Sequence, residues 1–163
     1  MISSQYEREL AADAADVGAL GVLACGKLVG ALSYGIVRLP RDGVAGRLDV
    51  VVTDPVCRGK GIGSILITGF VGELHRRHGD ELRHLSVVAM HPAVERSVAA
   101  LGFEAADVGP NVPLFQVALD GKRRLQVLDG SNKVLARRLA DLRTDCARCK
   151  SRRAAPWCQP KAH

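Results

Sequence analysis

Six residues, Arg58-Gly59-Lys60-Gly61-Ile62-Gly63, carry the sharpest chemistry in this 163-residue chain. The β-branched run Val50-Val51-Val52-Thr53 before them reads as a buried strand. Asp54-Pro55 ends it. Beyond the glycines, Ile62, Ile65, Leu66, Phe70 and Leu74 recur at helical spacing and would bury against a sheet. Strand, glycine-rich turn and helix in that order leave a row of backbone N–H groups at a helix N-terminus, which suits a phosphate. Gly61 and Gly63 let the main chain approach an anion without a Cβ in the way, and Arg58 and Lys60 add positive charge. The first inference is a phosphate-bearing ligand held mainly by main chain.

The spacing separates this loop from two common phosphate motifs. A P-loop needs Gly-Lys followed by Ser or Thr, whereas Lys60 precedes Gly61 and no Ser or Thr follows a Gly-Lys pair. Gly59, Gly61 and Gly63 also lack the Gly-x-Gly-x-x-Gly spacing of a dinucleotide fold. The pattern present is Arg/Gln-x-x-Gly-x-Gly/Ala. With the preceding strand and Pro55, it resembles the coenzyme A pyrophosphate loop of the GNAT acetyltransferase superfamily. The downstream context agrees. Leu85–Met90 reads as a second buried strand, and Pro92 suits the first turn of a helix that runs through Val94, Val98 and Leu101 to Gly102-Phe103. The family commonly shows Asn-x-x-Ala-x-x-x-Tyr-x-x-x-Gly-Phe there. This chain keeps the spacing and the Gly-Phe end, with His91, Val94 and Val98 at the Asn, Ala and Tyr positions.

The resemblance covers roughly residues 20–119. It implies an α/β fold with a central mixed, mostly antiparallel sheet flanked by helices and splayed middle strands. It also implies an acetyl-CoA-dependent N-acetyltransferase that passes an acetyl group to a primary amine by direct attack in a ternary complex. Main chain at Val51, Val52 and Thr53 would pair with pantetheine. Arg58, Gly59, Lys60, Gly61, Ile62, Gly63 and Ser64 would hold the pyrophosphate, and His91 would contact the cofactor. The family's tyrosine acid falls on Val98, which cannot donate a proton. Tyr34 is the candidate substitute, with Ser97 or water behind it. Asp49 is the candidate base, on the strand face of Val51 and Thr53. The competing reading is a GNAT-fold acyl-CoA-binding regulatory or nucleic-acid-associated module with little catalytic activity. Val98 and the altered second motif favour it. The acceptor is an amine on a small molecule or a protein.

Charge divides the chain. Residues 122–163 hold twelve Lys/Arg against three Asp/Glu, and residues 1–121 hold eleven against fourteen. The basic balance therefore belongs to the C-terminal extension, which is the part suited to nucleic acid or another acidic partner. The expected division is a GNAT-like acyl-CoA-binding domain at 1–121, with a short N-terminal part, and a basic extension at 122–163. Within the extension, Cys146, Cys149, Cys158 and His163 form a Cys3His set that could hold zinc. No apolar run is long enough for a membrane span, and the polar start is unlike a signal peptide. A cytoplasmic protein with reduced cysteines is expected, free of membrane and with a homodimer among its partner states.

The elements that must position the site follow from periodicity and breakers. A helix is expected at 4–16, a hairpin of strands Leu20–Cys25 and Lys27–Arg38, and a strand Arg47–Thr53 leading into the loop. Then come a helix at 61–77, a strand at 84–90 and a helix at 92–101. Closing strands Glu104–Val108 and Pro113–Ala118 precede a short amphipathic helix at 129–143. Cys25 reads as core and Cys57 as a solvent-facing thiol.

Overall fold

The computed structural model describes residues 16–41, 43–109 and 111–152. The helix expected at 4–16 lies outside that set except for Asp16, which begins the first strand. Strands β1 (Asp16–Ala24) and β2 (Lys27–Arg38) form an antiparallel hairpin. Its turn takes Cys25 and Gly26 at φ 51° and 75°, two consecutive left-handed residues whose twist matches the flanking strands. Strand β3 (Val44–Thr53) returns antiparallel to β2. Helix α1 (Ile62–His78) then crosses to β4 (Leu82–Val88), which lies parallel to β3. Helix α2 (Pro92–Ala100), the short β5 (Glu104–Ala105), β6 (Leu114–Ala118) and helix α3 (Gly121–Arg152) complete the order.

The six strands make one sheet in the order β1-β2-β3-β4-β6-β5, and β3–β4 is its one parallel pair. Helix α1 is the crossover that this pair requires. Its buried side chains Ile65, Leu66, Phe70, Val71 and Leu74 pack in one core with Leu32, Tyr34, Leu48, Leu85 and Val87 of the sheet. Two glycines set how closely the helix lies. A Cβ on Gly30 would sit 2.5 Å from Ile62 Cγ2, and one on Gly46 would sit 2.1 Å from Leu74 Cδ1. The helix ends at Gly79, φ 52°, after the basic turn His75-Arg76-Arg77-His78, where cations oppose the negative end of the dipole.

Helix α3 is longer than the 129–143 expected. It spans 32 residues, about 48 Å, and packs along α1. Its opening is fixed by Arg124, which is 9% exposed. The guanidinium donates to the carbonyl oxygens of Gly79 and Leu82 at 2.7 Å, of Leu119 at 3.0 Å and of Asp80 at 3.3 Å. The first two and Asp80 lie at the end of α1 and the start of β4, and Leu119 just precedes α3, so one cation joins the first turn of α3 to a negative helix terminus. Periodicity could not reveal this start, because the anchor is a charge paired with backbone far away in sequence.

The two cysteine expectations exchange places. Cys57 is 1% exposed in the core, and Cys25 is half-buried at the hairpin turn. The short 3-10 turn Pro55–Cys57 folds the loop back and carries the thiol inward. Burial and the neighbouring Asp54 push that thiol's pKa up, so it rests as a neutral, poorly nucleophilic group.

Candidate functional site

The middle of the sheet opens. Pairing of β3 with β4 runs from Val44↔Leu82 to Leu48↔Val87 and stops there, while β3 continues to Thr53. The β4 side of residues 49–53 is therefore left without a strand partner among the described residues. A bulge marks the same place: Ser33 faces Val50 and Tyr34 faces Leu48, which leaves Asp49 unopposed. An extra residue shifts the alternation. Leu48 is buried, Asp49 and Val50 are both exposed, and Val51 turns half inward.

Below the free end of β3, the chain makes the glycine loop and enters α1. Gly61 caps the helix in the left-handed region, φ 77° and ψ 13°, with no side-chain cap. The Ile65 N–H donates to the Gly61 carbonyl at 3.0 Å, so the helix is wound from its first turn. The amides of Ile62, Gly63 and Ser64 lie in that turn, where a helix has no acceptor for them. No acidic residue occupies it, so the positive end of the dipole is uncompensated. A Cβ built on Gly63 meets nothing within 4 Å. The space beside Gly63 is open, which fits a ligand carrying phosphate.

This space belongs to a cleft of about 760 Å³, a size suited to a nucleotide-bearing molecule. One wall is Val51–Thr53 with the loop and the start of α1, and the other is α2 with Val134 and Arg138 of α3. Among the described residues, Arg58, Arg96 and Arg138 line it and no Asp or Glu does. His91 stands at the lip as the N-cap of α2. Its Nδ1 accepts the Ala93 N–H at 3.1 Å, which leaves the proton of the neutral ring on Nε2. The Ser64 and Ser97 hydroxyls meet across the cleft at 3.3 Å, and Ser97 also donates to the Ala93 carbonyl at 2.9 Å.

Of the residues singled out by sequence, Val51, Val52, Thr53, Arg58, Gly59, Gly61, Ile62, Gly63, Ser64 and His91 all line this cleft. Lys60 is in the loop and exposed, outside the lining. The structure does not bring Tyr34 or Asp49 to the cleft. Tyr34 is 1% exposed, its ring packs 5.6 Å from that of Phe70, and its hydroxyl has no partner among the described residues. Asp49 accepts from Arg47 Nε at 2.6 Å on the surface, because the bulge turns it away from the face of Val51 and Thr53. Val98 is fully buried, so the position that the family gives to tyrosine is core in this chain.

The proposed zinc set is not assembled among the described residues. Cys146 packs half-buried against the core, and Cys149 follows it in the same continuous helix. Cys158 and His163 lie outside the described residues. No group of three or more metal-ligating side chains gathers among those described. Likewise, no described helix is long and apolar enough to cross a membrane. Sequence reasoning missed Arg96, Ser97's place on the wall, and Arg138. The last had a signal: a cation four residues from both Val134 and Leu142, on the inward stripe of α3.

A mixed sheet that opens between parallel neighbours, with a glycine-capped helix at the opening, defines the architecture as α/β. Neither a family model nor the sequence of a curated protein matches this chain, so the relationship is visible in three dimensions. A GNAT-family acetyltransferase from Streptococcus pneumoniae aligns with a TM-score of 0.51 at 17% identity, over 70% of this chain and 72% of that one. The Arabidopsis thaliana protein NAA60, solved with a bisubstrate analogue, gives 0.52 at 15%, over 65% and 77%. A chain of the AtaT–AtaR complex bound to DNA gives 0.53 at 16%, over 69% and 71%. The fold is that of the GNAT acetyltransferases.

Proposed function

We propose that this protein is an acetyl-CoA-dependent N-acetyltransferase acting on a primary amine. One observation carries the reading: the end of β3, open on its β4 side, leads through the glycine loop into a helix N-terminus with no side-chain cap, and among the described residues their cleft holds arginines and no carboxylate. In this reading the pyrophosphate rests on the amides of residues 61–64, with Arg58 and Gly59 beside it. The pantetheine pairs with main chain at Val51, Val52 and Thr53. A strand amide there faces the thioester oxygen and stabilises the charge that develops on it. The amine nitrogen attacks the carbonyl carbon, the C–N bond forms, the C–S bond breaks, and the amine loses its proton as the thiolate gains one. Because Tyr34 and Asp49 lie off the cleft, both proton transfers run through water. Proximity supplies most of the acceleration.

The second reading, an acyl-CoA-binding regulatory or nucleic-acid-associated module with little activity, draws support from buried Val98 and from the basic α3. Two solved structures that share the fold are complexes with DNA, which keeps an acidic partner open for this chain. One assay separates the two. Purified protein is incubated with acetyl-CoA and a panel of amines, including small amines and peptides, and thiol release is followed. Amine-dependent release supports the transferase. Tight acetyl-CoA binding without release supports the module. Absence of both sinks the acyl-CoA assignment itself.

A further inference from the structure

The inward stripe of α3 contains an unexpected cation. Val127 and Leu142 are buried, and Val134, Leu135 and Leu139 pack half-buried on the core. Arg138 shares this stripe and is itself half-buried. An apolar residue there would extend the packing of α3 on α1. Arg138 instead lines the cleft, and its side chain passes close to the helix cap, since a Cβ on Gly61 would lie 2.9 Å from Arg138 Cδ and 3.4 Å from its Nη1. Among the described residues its guanidinium makes no hydrogen bond and no ion pair.

In the protein alone, this placement is unfavourable. The guanidinium is partly desolvated and stands at the positive end of α1, with Arg58 in the same lining and, among the described residues, no carboxylate in the cleft to neutralise either. An anion over the first turn of α1 reverses the sign of each interaction. We propose that Arg138 of the C-terminal helix is a ligand for the diphosphate of the bound coenzyme, closing from above the cradle that the loop amides form below. The basic extension is then part of the coenzyme site and not an appendage to it. The planar fork of arginine suits two phosphate oxygens at once, which a lysine cannot match. This inference rests on the coenzyme A reading of the cleft.

The test is calorimetric titration of coenzyme A and of 3′-dephospho-coenzyme A into wild type, Arg138→Met and Arg138→Lys, with the urea midpoint of each protein. Wild type binds both ligands. Arg138→Met weakens both equally, by tenfold or more, lowers the salt dependence of binding, and keeps or raises the urea midpoint. Arg138→Lys recovers part of the affinity. Unchanged affinity in Arg138→Met overturns the inference and leaves the coenzyme reading standing. A loss confined to the 3′-phosphorylated ligand also overturns it, because the contact would then be to the other phosphate. A lower midpoint without rescue by lysine makes Arg138 a packing residue and overturns it too. Failure of wild type to bind either ligand overturns both the inference and the reading beneath it.

Discussion

Replacing Gly63 with aspartate should stabilise the free protein while removing its coenzyme. Gly63 is the second residue of α1, has helical backbone, and has nothing within 4 Å of an added Cβ. Removing a glycine at such a position lowers the entropy of the unfolded chain and contributes about 0.4–1 kcal/mol. A carboxylate in a first turn that has no acid adds roughly 0.3–1 kcal/mol through the dipole. The free protein should therefore gain on the order of 1 kcal/mol, read from the urea midpoint at constant slope. The same carboxylate occupies the space assigned to the diphosphate. Two unit charges about 4 Å apart repel by roughly 1 kcal/mol in water and about 4 kcal/mol at a partly buried site. Affinity for acetyl-CoA should fall by about fivefold to a thousandfold, measured by calorimetry. The opposite signs protect the test from trivial unfolding. Unchanged affinity would refute the placement of the diphosphate, and a clearly lower midpoint would refute the open, uncompensated helix end.

Arg124→Ala removes a buried cation that serves four carbonyl oxygens. Losing hydrogen bonds from a charged donor and leaving carbonyls unsatisfied should cost about 2–3 kcal/mol in urea unfolding, and a loss below 1 kcal/mol would contradict its role as the anchor of α3. Tyr34→Phe deletes a hydroxyl that is buried without a partner among the described residues, so turnover should hold and stability should stay level or rise. A hundredfold fall in kcat would return Tyr34 to the proton path. Glu73 is held at a pKa of about 2 by hydrogen bonds from Arg76 at 2.9 Å and Arg77 at 2.6 Å. Its folded pKa lies below the unfolded value, so its contribution is present above about pH 4.5 and is lost as pH falls toward 2. Solvent screening limits that contribution to roughly 0.5–1 kcal/mol. The melting difference between wild type and Glu73→Gln should shrink across that window, and a difference that stays constant with pH would argue against the pairing.

The loop, the crossover helix and the two strands around it were legible because strong local signals coincide there: β-branched residues, then Pro55, then glycines, then apolar residues at helical spacing. What escaped was set by tertiary contact. Strand β3 begins at Val44 and not Arg47, because Ala45 and Gly46 pair with β4. Gly46, a weak strand residue, is needed there for the close approach of Leu74. Strict alternation put Asp49 on the face of Val51, and a bulge visible only in the pairing with β2 moved it off. The extent of α3 was underestimated because its first turns are held by the Arg124 anchor more than by an apolar stripe. The cleft residues on the β3–α1 side were readable in one stretch. Those on α3 were separated from it by some seventy-five residues of sequence.

The most direct test of the whole account is a crystal structure of the protein with coenzyme A. The diphosphate oxygens should lie about 2.7–3.2 Å from the main-chain nitrogens of the 61–64 turn, with the pantetheine running along the free edge of Val51–Thr53 in the gap between β3 and β4. Coenzyme A found elsewhere on the surface, or in the cleft with its diphosphate away from the amides of α1, would contradict the account.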